Sequence, residues 1–215
     1  MAVALSWSGG KDSALALAAL RREGREPVAL LTTVTEPFDR ISMHGVRRTL
    51  LTRQAEAAGL PLVETAIPSG CGNELDERRV TEALAGLVDV DEVAFGDLFL
   101  EDVRAYRERL LATTGHRCVF PIWGSDTGEL ARAFLAQGFE ARLTCIDPRR
   151  LDASYAGRAF DAALLRDLPP GVDPCGENGE FHTFVHTGPV FRMPVACTPG
   201  EVVERDGFVF CDLAP

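Results

Sequence analysis

Residues 5–17 read LSWSGGKDSALAL, and no other stretch so narrows what this 215-residue chain can become. An apolar strand over 3–6 runs into Ser8, Gly9 and Gly10. Lys11, Asp12 and Ser13 then open a segment, 11–23, in which Leu15, Ala18 and Ala19 recur at helical spacing. A strand, a glycine turn and a helix in that order aim the unpaired first-turn N–H groups of the helix at whatever lies over the turn. With the helix dipole they make an anion site, and glycine lets the backbone approach an oxygen closely. Lys11 adds a cation, and Ser8 and Ser13 add hydroxyls. Asp12 is out of place beside phosphates unless it caps locally or helps to hold Mg²⁺.

The pattern downstream extends the same architecture. Strands are expected over 28–34, 62–67 and 92–96, and helices over 46–58 and 75–88, with a turn at 68–70. This β-α alternation implies a parallel sheet covered by helices, with ligands beyond the C-terminal ends of the strands. The second half is less regular. It predicts helices over 102–113, 127–137 and 155–168, strands over 118–122 and 141–146, and hairpins after residue 180. The expected fold is α/β, a Rossmann-like parallel sheet with a smaller C-terminal α+β domain. The boundary is placed near Trp123, giving a nucleotide domain over 1–123 and a substrate domain over 124–215.

Bulk properties exclude several classes. The chain is 46% hydrophobic and 25% charged, with no run of 18 apolar residues to span a membrane. No basic leader precedes the first apolar stretch, so a cytoplasmic location is the expectation. The six cysteines, at positions 71, 118, 145, 175, 197 and 211, form no C-x-x-C pair, which argues against zinc and redox motifs. Acidic residues outnumber basic ones 32 to 22, a net charge of −10. A nucleic-acid partner is therefore disfavoured, because phosphate neutralisation needs a basic surplus.

The turn is not a Walker A loop, since position 5 is Leu and Asp12 follows the lysine, and G-x-G-x-x-G is absent. What remains, S-G-G-x-D-S directly after a first strand, resembles the PP-loop ATP pyrophosphatases, whose fold is of the HUP or adenine nucleotide alpha hydrolase type. That resemblance implies ATP bound by its β- and γ-phosphates, attack on the α-phosphate, and pyrophosphate as leaving group. Adenylylation turns a carboxylate oxygen into one that ammonia can displace, and loop amides, Lys11 and Mg²⁺ would stabilise the charge developing on pyrophosphate.

Three further stretches sharpen the resemblance: ISMHGVR (41–47), FGDLFLEDVRAYRERL (95–110) and CGENGEFHTFVHTGPVF (175–191). With the glycine turn they resemble the diphthine–ammonia ligase (diphthamide synthase, ATP-binding domain) family across nearly the whole chain. The most specific match is G-E-x-G-E-F. The resemblance implies an ATP-dependent, AMP-forming ligase joining ammonia to the carboxylate of diphthine, a modified histidine of elongation factor 2. It implies phosphate binding by Ser8, Gly9, Gly10, Lys11, Asp12 and Ser13, with Met43, His44 and Gly96 beside the nucleotide. Lys11, Asp97, Glu177 and Glu180 are the implied catalytic set, and Asp12 and Asp97 the Mg²⁺ candidates. Glu101 and Asp102 are weighed with Asp97, although acids at a helix start also serve as ordinary caps.

Glu177, Glu180, Phe181 and Trp123 would face the quaternary ammonium of diphthine, which suits carboxylates and aromatic faces. His182 stands where the family carries an acidic residue, and the segment after Gly96 also departs from the family pattern. The ATP chemistry is expected to survive those changes, while the acceptor becomes open to another carboxylate. A homodimer is kept open. Two rivals stand beside this reading: an adenine-nucleotide-binding regulator without turnover, and a tRNA-modifying PP-loop ligase.

Overall fold

The computed structural model describes residues 1–35, 38–41, 43–67, 73–86 and 89–215, with the side chains of 73–77 excepted. The turn expected at 68–70, Cys71 and the far end of the helix expected to reach Val88 lie outside the described residues.

Strand β1 (Val3–Ser6) pairs in parallel with β2 (Ala29–Thr35) on one side and β5 (Glu92–Ala94) on the other. Beyond β2 lies β4 (Leu62–Ile67), and beyond β5 lies β6 (Arg117–Val119), both parallel. The parallel order is therefore β4-β2-β1-β5-β6, and the sheet reverses its winding between β1 and β5. Open α/β sheets bind ligands at that reversal, outside the carboxyl ends of the strands. Val3, Ala4 and Leu5 are at most 1% exposed, as a strand covered on both faces requires.

A short strand that the sequence reading missed, β3 (Arg40–Ile41), pairs antiparallel with Val34 and Thr35. Since β4 occupies one edge of β2 along its whole length and β1 pairs only as far as Leu31, β3 lies on the β1 side. There it brings the 43–47 loop back over the ends of the strands.

Helices α1 (Lys11–Arg22), α2 (Arg48–Ala58), α3 (Asn73–Ala85) and α4 (Glu101–Ala112) make the crossovers. Helix α2 ends at Gly59, whose φ of 72° gives the left-handed cap that glycine permits.

Helix α5 (Thr127–Ala136) leads into an antiparallel sheet of order β8-β7-β10-β9, made by β7 (Glu140–Ile146), β8 (Phe181–Thr187), β9 (Thr198–Arg205) and β10 (Phe208–Ala214). An Asp206-Gly207 turn with positive φ at both residues closes the β9–β10 hairpin, a geometry that favours these residue types. The single helix expected over 155–168 is instead a 3-10 turn (Ala153–Tyr155) and α6 (Ala162–Asp167). Between them Gly157 takes φ 80°, and residues 157–160 bond to β7 through Leu143 and Ala141. Edge pairing outcompetes helix propagation there, and Asp161 restarts the helix by accepting from the Leu164 N–H at 2.7 Å.

One hydrophobic core runs through both sheets, from Leu5, Leu17 and Leu50 to Phe134, Phe160 and Phe184. Cys145, Cys175 and Cys211 are buried in it or beside it as free thiols, and Cys118 and Cys197 are free and half-buried. Among the described residues no helix is long and apolar enough to cross a membrane.

Candidate active site

The glycine turn sits at the sheet reversal and is fastened from two sides. Gly9 has φ 77°, and a Cβ there would meet Gln54 Oε1 at 2.6 Å and Leu51 Cδ1 at 2.8 Å, so only glycine fits. The wholly buried Gln54 of α2 holds this geometry. Its Nε2 donates to the Gly9 carbonyl at 3.0 Å and to the Val185 carbonyl, while its Oε1 accepts from Trp7 Nε1 at 3.0 Å. Strand β8 fastens the other side: Val185 N–H donates to the Gly9 carbonyl at 2.9 Å and Lys11 N–H to Thr183 Oγ1 at 3.0 Å. The turn is thus clamped between the two sheets, and at the start of α1 the Thr183 hydroxyl takes the place of a cap that the N-cap residue Gly10 cannot supply.

Below the turn, Gly96 follows β5 by two residues. A Cβ on it would lie 2.8–3.0 Å from the backbone C and O of Asp12 and the N of Ser13. The loop after β5 and the first turn of α1 therefore touch backbone to backbone.

A cavity of about 480 Å³ opens over this junction. Ser8, Lys11, Asp12, Ser13, Gly96 and Asp97 line one part of it, and Met43, His44, Glu177, Phe181 and His182 another. Its lining also includes the apolar side chains of Leu31, Val63, Val80, Val93 and Phe95. The size suits a nucleotide-sized ligand. Gly9 and Gly10 are buried under β8 and do not line it.

Lys11 is 2% exposed. Its Nζ donates to both Asp12 carboxylate oxygens, at 2.8 and 2.9 Å, and to the Cys175 carbonyl. Burial works against the ammonium, but Asp12, Cys175 and Glu177 together outweigh it and hold Lys11 above the ordinary lysine range. Asp12 keeps 31% of its side chain open to the cleft.

Glu177 Oε1 accepts from the Leu98 N–H at 2.7 Å. Burial, reinforced by the Asp12 and Asp97 carboxylates, pushes Glu177 up to about 7 against the pull of that N–H and of Lys11. Such a carboxyl can exchange a proton near neutral pH. Asp97 pairs with Arg107 at 3.4 Å, and the Arg107 guanidinium lies 5.0 Å over the Phe95 ring.

Some expected residues lie elsewhere. Glu180 is 3% exposed and outside the cavity lining. Its Oε1 accepts from the Asp173 N–H at 3.0 Å and Asn178 Nδ2 at 3.1 Å, so its visible role is to fold the 173–180 loop that presents Glu177. Trp123 does not line the cavity, and the Arg104 guanidinium covers its ring at 4.9 Å. Glu101 and Asp102 are exposed in the first turn of α4. Asp12 and Asp97 share the cavity, but each already faces a cation, and among the described residues no cluster of three or more metal-ligating side chains exists. A cation held mainly by phosphate oxygens fits this donor set, because Mg²⁺ typically takes only one or two protein carboxylates at such sites.

Sequence reasoning did not reach Gln54, Thr183 or Arg107. Gln54 did leave a signal, as the polar residue inside the apolar stripe Leu50-Leu51-Ala55-Ala58 of α2.

The geometry accords with the comparisons. The family model for the diphthamide synthase N-terminal domain matches residues 1–118, and that for the diphthamide synthase C-terminal domain matches 126–211. The chain belongs to the diphthamide synthase family. A protein of Schizosaccharomyces pombe named diphthine–ammonia ligase is 27% identical over 96% of this chain, which spans only 38% of that relative's length. The human protein of the same name is 25% identical over the whole chain and 89% of its own length. A solved structure from Methanocaldococcus jannaschii, described as a predicted subunit of tRNA methyltransferase, aligns with 67% of this chain and 80% of its own at 20% identity and a TM-score of 0.45, too partial a likeness to carry an argument.

Proposed function

We propose that this member of the diphthamide synthase family is an ATP-dependent, AMP-forming amide ligase of the diphthine–ammonia ligase type. The observation that carries the reading is the junction itself. The first turn of α1 with Lys11, Asp12 and Ser13, the backbone contact at Gly96 and the Glu177 carboxyl all open into one cavity at the sheet reversal. The names of the relatives agree with it.

In this reading residues 1–123 bind ATP. Ser8, Lys11 and Ser13 meet the phosphates, and the apolar side chains of the cavity take the base. Gly9 and Gly10 shape the turn from below. Residues 124–215 close the site through β8 and the 173–180 loop and receive the acceptor. Mg²⁺, where bound, would neutralise phosphate charge, with Asp12 the carboxylate best placed to help hold it.

The acceptor carboxylate oxygen attacks the α-phosphorus, and the bond to pyrophosphate breaks with its electron pair leaving on pyrophosphate. Ammonia then attacks the acyl carbon and loses a proton, and the C–O bond to AMP breaks. Lys11 offsets charge on the departing pyrophosphate. Glu177 accepts the proton shed as ammonium becomes ammonia, a role its raised range permits at neutral pH. Glu177 also offers a carboxylate to a quaternary ammonium, while the buried Phe181 ring lies under Lys11.

The test is direct amide formation. Elongation factor 2 bearing diphthine, incubated with the chain, ATP and ammonium, is expected to carry the carboxamide when its modified peptide is analysed by mass spectrometry. Diphthine left unchanged while another carboxylate is amidated would keep the chemistry and reject the acceptor. No amide on any carboxylate, with ATP intact, would reject the ligase.

A further inference from the structure

His44 and His182 come from different parts of the chain, the 43–47 loop and β8, and their rings lie 4.6 Å apart, tilted by 41°. Both border the main cavity. His182 and Met43 also border a second, more open hollow of about 600 Å³, flanked by Arg149 and Arg150. His182 therefore stands where the two spaces meet, with His44 beside it in the main cavity. It is built in, because His44 Nδ1 bonds the Thr183 carbonyl at 3.1 Å and His44 Cε1 lies 2.8 Å from where a Gly10 Cβ would stand. The same Thr183 holds the Lys11 N–H. The imidazoles are thus packed onto the glycine turn, and each keeps part of its surface toward the cavities.

We propose that His44 and His182 form a phosphate clamp that becomes charged as the nucleotide binds, the pair taking up a proton from solvent when the triphosphate arrives. This deepens the nucleotide reading and rests on it. The charged neighbours define why the free pair is neutral. Lys11, from α1, repels a second cation, and its own counter-ion Asp12 is tied to it. Arg149 and Arg150 stand across the second hollow with Asp147 between them. Glu177 and Asp97, the latter paired with Arg107, share the main cavity with the rings and with Asp12.

With burial acting first, Lys11 and the neighbouring imidazole hold His182 down to about 3, and burial and Lys11 hold His44 at about 4 despite its bond to Thr183. At neutral pH the free rings are therefore uncharged. A triphosphate reverses the local sign, an opposite charge within a few ångströms favours the imidazolium, and binding then consumes a proton. The charged pair also faces a carboxylate entering from the second hollow, which would otherwise meet an anionic phosphate unscreened.

The probe is the non-hydrolysable analogue α,β-methylene ATP with Mg²⁺, titrated calorimetrically into the full chain in two buffers of different ionisation enthalpy. Affinity is measured separately by equilibrium dialysis from pH 8 to pH 6. The wild type is expected to take up about one proton per nucleotide near pH 6, and its Kd to tighten severalfold as pH falls across that range. His44→Asn is expected to lose most of the uptake and the pH slope, since its ring is the less depressed of the two. His182→Asn is expected to lose part of both, and serves if the first variant does not fold. The nucleotide's own titration is common to all three proteins, so the difference is the readout. Equal uptake in wild type and variants overturns the clamp while leaving nucleotide binding intact. Absence of nucleotide binding in the wild type at every pH fails the nucleotide reading, and the clamp with it.

Discussion

Lys11→Met is expected to slow pyrophosphate release from ATP by roughly 10²–10³-fold, the cost of removing one preorganised group that stabilises charge in the transition state. The methionine fills most of the same volume, so the loss reports charge. A complication is built into the fold. Lys11 holds the Asp12 carboxylate through two hydrogen bonds, and its removal leaves that carboxylate without its cation. Breaking a sealed pair costs about 3–5 kcal/mol, but Asp12 is 31% exposed, so water relieves part of that cost. Lys11→Met with Asp12→Asn removes both charges and restores stability. Rates for both variants, measured beside their melting curves, separate the two effects. A double variant that folds normally and still turns over at the wild-type rate would remove Lys11 from the chemistry.

Gly96→Ala is expected to damage the site through the backbone. The added Cβ would meet the Asp12 carbonyl carbon and oxygen and the Ser13 nitrogen at 2.8–3.0 Å, and none of these atoms can rotate away. Overpacking of this kind costs about 1–3 kcal/mol, which for a chain of this size lowers Tm by roughly 2–12 °C. The start of α1 must lift from the loop after β5, so the first-turn amides move with it. Nucleotide affinity is expected to fall about tenfold or more, since groups that bind by position lose most when shifted. Gly200→Ala is the control, because its Cβ would find only ordinary contacts at 3.5 Å and beyond. Unchanged affinity in Gly96→Ala, with the expected drop in Tm, would place the phosphates away from this contact.

What could be read from the sequence divides by range of interaction. The parallel strands, the glycine turn and helices α1, α2, α4 and α5 were legible, because hydrophobic periodicity and glycine punctuation are local signals. Two local readings failed where pairing intervened. Residues 157–160 have helical neighbours on both sides but bond to β7 instead, and Arg40–Ile41 is too short a strand to leave a pattern.

The site was legible as a motif and much less so as an arrangement. Ser8, Lys11, Asp12, Ser13, Gly96 and Glu177 come together across 170 residues of sequence, and the turn motif located only those within it. Glu180 and Glu177 share one motif yet separate in role, since one carboxylate folds the loop and the other faces the cavity. No spacing rule distinguishes the two. Trp123 is masked by Arg104, a contact made only in three dimensions. The clasp of Gln54 and Thr183 on the glycine turn depends on α2 and β8, 45 and 172 residues away from the groups they hold.

The central claim is that the turn holds ATP so that its innermost phosphorus is the one attacked. Phosphorus NMR of the products of ATP with Mg²⁺, ammonium and the diphthine-bearing acceptor tests it most directly. AMP and pyrophosphate, formed together and in equal amounts, are the predicted products. ADP and orthophosphate would mean that the outer phosphorus is attacked and would contradict the account.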